Sequence, residues 1–131
     1  MIANHPHLEV FARVYSAFVS GDMNALAEHF AEDVVWHTPG HNPLSGTYAG
    51  RKATFESFAK ELELSGGTYR VDVHDVLAND EHTVALLHAQ AEREGKRLDQ
   101  DYVIVFHIAN EKVSEAWELW SDEAALDAFW Q

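Results

Sequence analysis

The 131-residue chain is 47% hydrophobic and sets 22 Asp and Glu against nine Lys and Arg, for a formal net charge of −13. That suits one domain, residues 1–131, burying about two-thirds of its unfolded surface. The bases are scattered from Arg13 to Lys112 and cysteine is absent, which argues against nucleic acid and anionic membranes as partners and excludes disulfide frameworks, thiolate zinc sites and cysteine nucleophiles.

The longest apolar run, Tyr102 to Phe106, is far too short for a membrane span, and the N-terminus has no basic segment followed by an apolar one. The chain therefore reads as soluble and cytoplasmic. Leu8, Phe11, Val14, Tyr15 and Phe18 recur at helical spacing, with Pro6 suited to a first turn and Gly21 to a stop. Asp22 can cap a second, shorter helix through Phe30. Asp33 to Thr38 reads as a short strand ended by Pro39-Gly40, and Pro43, Gly46 and Gly50 mark a loop. Phe55, Phe58, Ala59 and Leu62 predict a third helix, stopped at Ser65-Gly66-Gly67.

Three β-type runs follow at hairpin distance: Thr68 to Ala78, His82 to Arg93, and Arg97 to Ala109, which turns at Asn110-Glu111. Val113 to Trp120 completes a meander, and Ser121 caps a last helix reaching Trp130. Helices segregated from an antiparallel meander predict an α+β domain in which a curved sheet wraps one long helix.

This order, with Gly21-Asp22, Phe30-Ala31-Glu32-Asp33, Trp36-His37-Thr38-Pro39-Gly40, Gly46 to Arg51 and Glu115-Ala116-Trp117, resembles the SnoaL-like, ketosteroid isomerase-related branch of the nuclear transport factor two-like superfamily. The resemblance covers nearly the whole chain. It implies a cone-shaped, cystatin-like α+β barrel: a curved antiparallel sheet and helices around an apolar pocket, with the outer sheet face pairing two subunits. Members include isomerases, polyketide cyclases, dehydratases, epoxide hydrolases and noncatalytic proteins, so the fold does not choose a reaction.

Ketosteroid isomerases need a carboxylate base near the end of the first strand, a first-helix tyrosine and a protonated sheet aspartate. Alignment on Gly21-Asp22 and Pro39 puts Thr38 at the base, Val14 at the tyrosine and Ile104 near the aspartate, with Asp101 close by. The base is missing, which argues against that mechanism. Histidine chemistry of the cyclase or dehydratase type has more to draw on, in His37, His88 and His107. No cofactor is implied. Pro39 and Gly40 lie between His37 and His41 and forbid the helix that would stack them, so no metal site is expected.

Strand parity decides which side chains face the pocket. A three-residue turn, Glu94-Gly95-Lys96, sets His88 opposite Tyr102; a two-residue turn, Gly95-Lys96, sets His88 opposite Val103 and puts Leu87 and Ala89 on the wall instead. The first is preferred because it joins an apolar wall to a polar His88-Gln90-Tyr102 group, as a ligand pocket requires. His107 lies opposite Tyr102's face in both registers, and of Glu115 and Glu118 only one can reach the pocket.

The expected catalytic set is His37, His88 and Tyr102, and the expected ligand-binding set is Trp36, Thr38, His41, Gln90, Ile104, Phe106, Trp117, Glu118 and Trp120. The reading is a homodimer that takes a hydrophobic small molecule and performs cofactor-independent acid–base chemistry, of isomerase, cyclase or dehydratase type. The alternative is a noncatalytic ligand-binding or accessory dimer.

Overall fold

The computed structural model describes residues 5–131 of the chain. Helix α1 (Pro6–Ser20) has proline in its first turn, where no intrahelical N–H bond is lost, and ends at Gly21. At φ 73° Gly21 returns its N–H to the carbonyls of Ala17 and Phe18. The short α2 (Met23–Glu28) is capped by Asp22, whose carboxylate accepts from the Ala25 N–H at 3.0 Å. Strand β1 (Phe30–Thr38) starts before the expected Asp33 because Phe30, fully buried, already pairs with Val113. The ladder then slips before it resumes at Val35.

The stretch expected as loop contains β2 (Gly46–Ala49), antiparallel to the end of β1 with Thr38 opposite Gly46 and Val35 opposite Ala49. After Gly50 comes α3 (Arg51–Leu64), then β3 (Arg70–Ala78), β4 (Thr83–Arg93), β5 (Lys96–Ala109), β6 (Lys112–Trp120) and α4 (Glu123–Trp130). The cap of α4 is Asp122, not Ser121: Asp122 accepts from the Ala125 N–H at 3.0 Å, while the Ser121 hydroxyl bonds Gln100.

The six strands form one curved, unclosed sheet in the order β2-β1-β6-β5-β4-β3. It is not wholly antiparallel, since β1 runs parallel to β6. Helices α1, α2 and α3 pack on β3–β4, β1 and β1–β2 respectively, and α4 on β5. The core is aromatic where helices meet sheet: Phe11 lies edge-on to Phe106, and Phe30 to Phe55 and Phe58. Among the described residues no helix is long and apolar enough to cross a membrane.

The β4–β5 hairpin takes neither register expected from the sequence. Its turn is Glu94-Gly95, Arg93 pairs with Lys96, and His88 therefore faces Asp101 while Leu87 faces Tyr102. Glu94 (φ 51°) and Gly95 (φ 77°) both adopt the left-handed backbone that two-residue hairpin turns of type I′ require. Arg93 and Lys96, kept in the ladder, donate to the Gln131 carbonyl at 3.0 and 2.5 Å and tie down the end of α4. Hydrophobic parity agrees: Ala85, Leu87, Ala89 and Ala91 are buried under the helices, and His88 and Gln90 go to the outer face.

Candidate functional site

Between the sheet's inner face and the helices lies a cavity of about 70 Å³. Its wall is aromatic and aliphatic, with Phe11, Tyr15 and Phe18 from α1, Trp36 from β1, Phe58 from α3, and Tyr102, Ile104 and Phe106 from β5. Two carboxyl groups break this surface, Glu118 from β6 and Glu61 from α3. Among the described residues no Lys, Arg or His lines it.

Glu118 faces inward because β6 alternates, placing it opposite Ile104. Its Oε2 accepts from Trp36 Nε1 at 2.7 Å and from the Thr38 hydroxyl at 3.3 Å, and its Oε1 from Trp120 Nε1 at 2.9 Å. Burial pushes this carboxyl above the usual range, and the three donors pull it back part of the way. Trp120 also stacks on Tyr102, with ring centres 4.0 Å apart and planes 7° from parallel. One indole thus orients both a carboxylate and a phenol.

Glu61 has no such support. Burial, and after it the charge of Glu118, hold its carboxyl well above the usual range. The buried phenols of Tyr69 and Tyr102 are likewise pushed well up, chiefly by desolvation. The cavity therefore brings together a carboxyl whose burial is partly offset by three hydrogen bonds, a carboxyl with no such offset that resists ionisation more strongly, and two neutral phenols. Pairs of carboxyl groups driven apart in this way can divide the roles of proton acceptor and proton donor.

Of the residues singled out in the sequence, Trp36, Tyr102, Ile104, Phe106 and Glu118 line the cavity, and Thr38 and Trp120 hold Glu118. His37, His88, Gln90 and Trp117 lie on the opposite, outer face, by the parity that sends Trp36, Leu87 and Glu118 inward. His88 sits between Asp101 (2.7 Å) and Asp99 (2.5 Å), whose hydrogen bonds raise its pKa. His37 bonds Glu115 at 2.7 Å and stacks on Trp117, whose edge meets His107. Gln90 bonds Arg70. His41 is exposed, and its backbone N–H binds Asp127 at 2.8 Å. Among the described residues no three His, Asp or Glu converge as metal ligands.

Glu61 and Tyr69 were not anticipated. The inner stripe of α3 runs through Thr54, Phe58 and Glu61, whereas Ala59 and Leu62, expected inside, are exposed. Glu61 is three residues beyond Phe58 and shares its face. A search for apolar residues at helical spacing passes over a carboxylate in that row.

Residues 11–116 match the family profile of the SnoaL-like domain. The uncharacterised protein Rv0034 of Mycobacterium tuberculosis (strain ATCC 25618 / H37Rv) is 32% identical over 124 residues, which are 94% of this chain and 95% of that protein. Among solved structures, Bal32a from a soil-derived mobile gene cassette superposes with a TM-score of 0.92 at 39% identity, covering 95% of this chain and 96% of its own. A proposed SnoaL-like polyketide cyclase from Jannaschia sp. CCS1 shares the fold at 15% identity, with a TM-score of 0.79 over 98% of this chain and 97% of its own.

Proposed function

We propose, given that the chain belongs to the SnoaL-like family of the nuclear transport factor two-like superfamily, that its inner cavity binds a small, largely apolar molecule and performs acid–base chemistry on it without a cofactor. The observation that carries this reading is the pair of carboxyl groups in unlike surroundings inside one apolar cavity. Glu118, the carboxyl whose burial two indoles and a hydroxyl partly offset, is the proton acceptor. Glu61, which burial keeps protonated to higher pH, is the donor, and Tyr102 offers a hydrogen bond to a developing oxyanion. The Jannaschia relative's description as a cyclase fits proton-transfer chemistry of this kind.

The cavity's volume favours a second reading. Sites that enclose drug-sized ligands run to roughly 300–1,000 Å³, and about 70 Å³ is small for a polyketide. A noncatalytic pocket for a compact metabolite would need no more. Either reading goes with a homodimer built on the outer sheet face, where Leu119 (56% exposed) lies near Trp117 on β6 and Leu77 (54%) stands on the same face at the β3 edge. A stable monomer in sedimentation at micromolar concentration would remove the dimer from the proposal.

To test the function, small molecules that co-purify with the native protein are identified by mass spectrometry and offered back as substrates. The catalytic reading expects turnover that Glu118→Gln lowers by about 100-fold or more, the usual scale for one acid–base group. Saturable binding with no conversion supports the noncatalytic reading, and turnover unaffected by Glu118→Gln removes Glu118 from the mechanism.

A further inference from the structure

The polar groups of the cavity are unbalanced. The N–H groups of Trp36 and Trp120 and the hydroxyl of Thr38 are already spent on Glu118, and the Tyr15 hydroxyl donates to the Val71 carbonyl at 2.7 Å. Among the described residues nothing basic lines the wall. Burial and the charge of Glu118, with no hydrogen bond, account for the state of the Glu61 carboxyl. The space between these groups is bounded by two carboxyl groups and by the aromatic rings of Trp36, Phe58 and Tyr102. An anion would meet two carboxyl groups and no fixed positive charge, with only neutral hydroxyls such as those of Tyr69 and Tyr102 to bind it. An alkylammonium group is its complement, with three donors, no acceptor and a charge that aromatic faces attract.

We propose that the cavity takes a compact apolar amine, bound as its ammonium form against the Glu61 carboxylate. This rests on the cavity being a ligand site, as in the function proposed above, and adds the charge class of the ligand. The proton balance is simple. When a dissolved ammonium ion pairs with a protonated Glu61, the carboxyl proton leaves to the buffer; when the free amine enters, it takes that proton itself and none is released. Amine affinity should therefore rise with pH as Glu61 ionises in the empty cavity. The titratable groups near Glu61 are Glu118 on β6, Tyr102 on β5, Tyr69 ahead of β3 and Tyr48 on β2, with Tyr15 of α1 on the same cavity wall, and none of them can supply a competing positive charge.

The experiment compares three probes of like shape and different charge, isobutylamine (cationic), isobutanol (neutral) and isobutyrate (anionic), titrated into the full chain at constant ionic strength. The reporters are the indole N–H resonances of Trp36 and Trp120. Isobutylamine should bind about tenfold or more tightly than isobutanol, the scale of one desolvated cation–aromatic contact plus an ion pair, and isobutyrate should not bind. In Glu61→Gln the amine and alcohol affinities should converge. Calorimetry of the unaltered protein in buffers of different ionisation enthalpy, below the Glu61 titration, should show about one proton released per amine bound. That readout needs no variant. If isobutanol or isobutyrate matches the amine, if Glu61→Gln keeps the amine preference, or if no proton is released, the charge class is wrong while the ligand site stands. If no probe moves either indole, both proposals fall.

Discussion

Two adjacent leucines on β4 separate the observed hairpin register from the alternative that puts His88 inside. Leu87 is 5% exposed and lines the cavity, whereas Leu86 lies on the outer face opposite Val103 and is only half-buried. Truncating Leu87 to alanine removes buried methyl groups worth about 2 kcal/mol in transfer. It also adds their volume to the existing space, at roughly 24 cal/mol per Å³ that the structure does not close. The sum is about 3 kcal/mol, within the usual range for a core Leu→Ala change. Leu86→Ala, on a face that water partly reaches, should cost about 1 kcal/mol or less.

Urea unfolding followed by tryptophan emission measures both variants. With a denaturant slope of about 1–3 kcal/mol/M for a small protein, Leu87→Ala should lower the midpoint by on the order of 1–3 M and Leu86→Ala by a fraction of that. The reverse order would refute the register, and with it the assignment of His88 to the outer face.

Three further outcomes follow from the same geometry. Gly40 (φ 94°) and Gly95 (φ 77°) share a left-handed backbone, but a Cβ on Gly40 would stand 2.3 Å from the Asp127 carboxylate, and one on Gly95 would meet nothing within 4 Å. Gly40→Ala should therefore lower the melting temperature clearly more than Gly95→Ala, and equal losses would show that the Asp127 contact yields freely. For His88, held between Asp101 and Asp99, the folded-state pKa is raised above 6.5; its stabilising effect is full below that value and is lost as pH rises through the folded pKa. The urea midpoints of the unaltered protein and His88→Ala should converge between pH 6 and pH 9, and a gap that widens would contradict this. Glu61 is also raised, so its ionisation works against folding above pH 4.5. Glu61→Gln should raise the urea midpoint at pH 8 and leave it nearly unchanged at pH 4; a lower midpoint at pH 8 would mean that the carboxylate is stabilised by its surroundings.

Much of the fold is legible in the sequence because local signals agree with the global one. The Pro6 to Gly21 helix, the Asp22 cap and the Asn110-Glu111 turn all stand where their residues suggest. What escapes has a physical cause in each case. The four-residue β2 begins at Gly46 and is followed by Gly50, so it carries turn signals at both ends, and only pairing with β1 makes it a strand. The β4–β5 register turns on one residue, Glu94, accepting a left-handed conformation that its type disfavours. That single step moves His88 and Gln90 from the cavity to the outer face.

The site divides along the same line. Trp36, Tyr102, Ile104, Phe106 and Glu118 are legible because strand alternation and family likeness point the same way. Glu61 is not, since a charged residue in a helix is read as solvent-facing, and only the packing of α3 shows that it continues the row of Phe58. The histidines drew attention by their chemistry, but imidazoles on the outer strand positions find partners there in Glu115, Asp99 and Asp101.

The central claim is that two glutamates share the cavity and ionise apart. Carbon-detected NMR of the glutamate side-chain carboxyl groups, followed from acid to neutral pH in the unaltered protein and in Glu118→Gln, measures it directly. The Glu61 resonance should titrate well above 4.5 and move downward when Glu118 loses its charge, because burial and that charge are what raise it. Titration of Glu61 and Glu118 together near 4.5, unchanged by the substitution, would contradict the account.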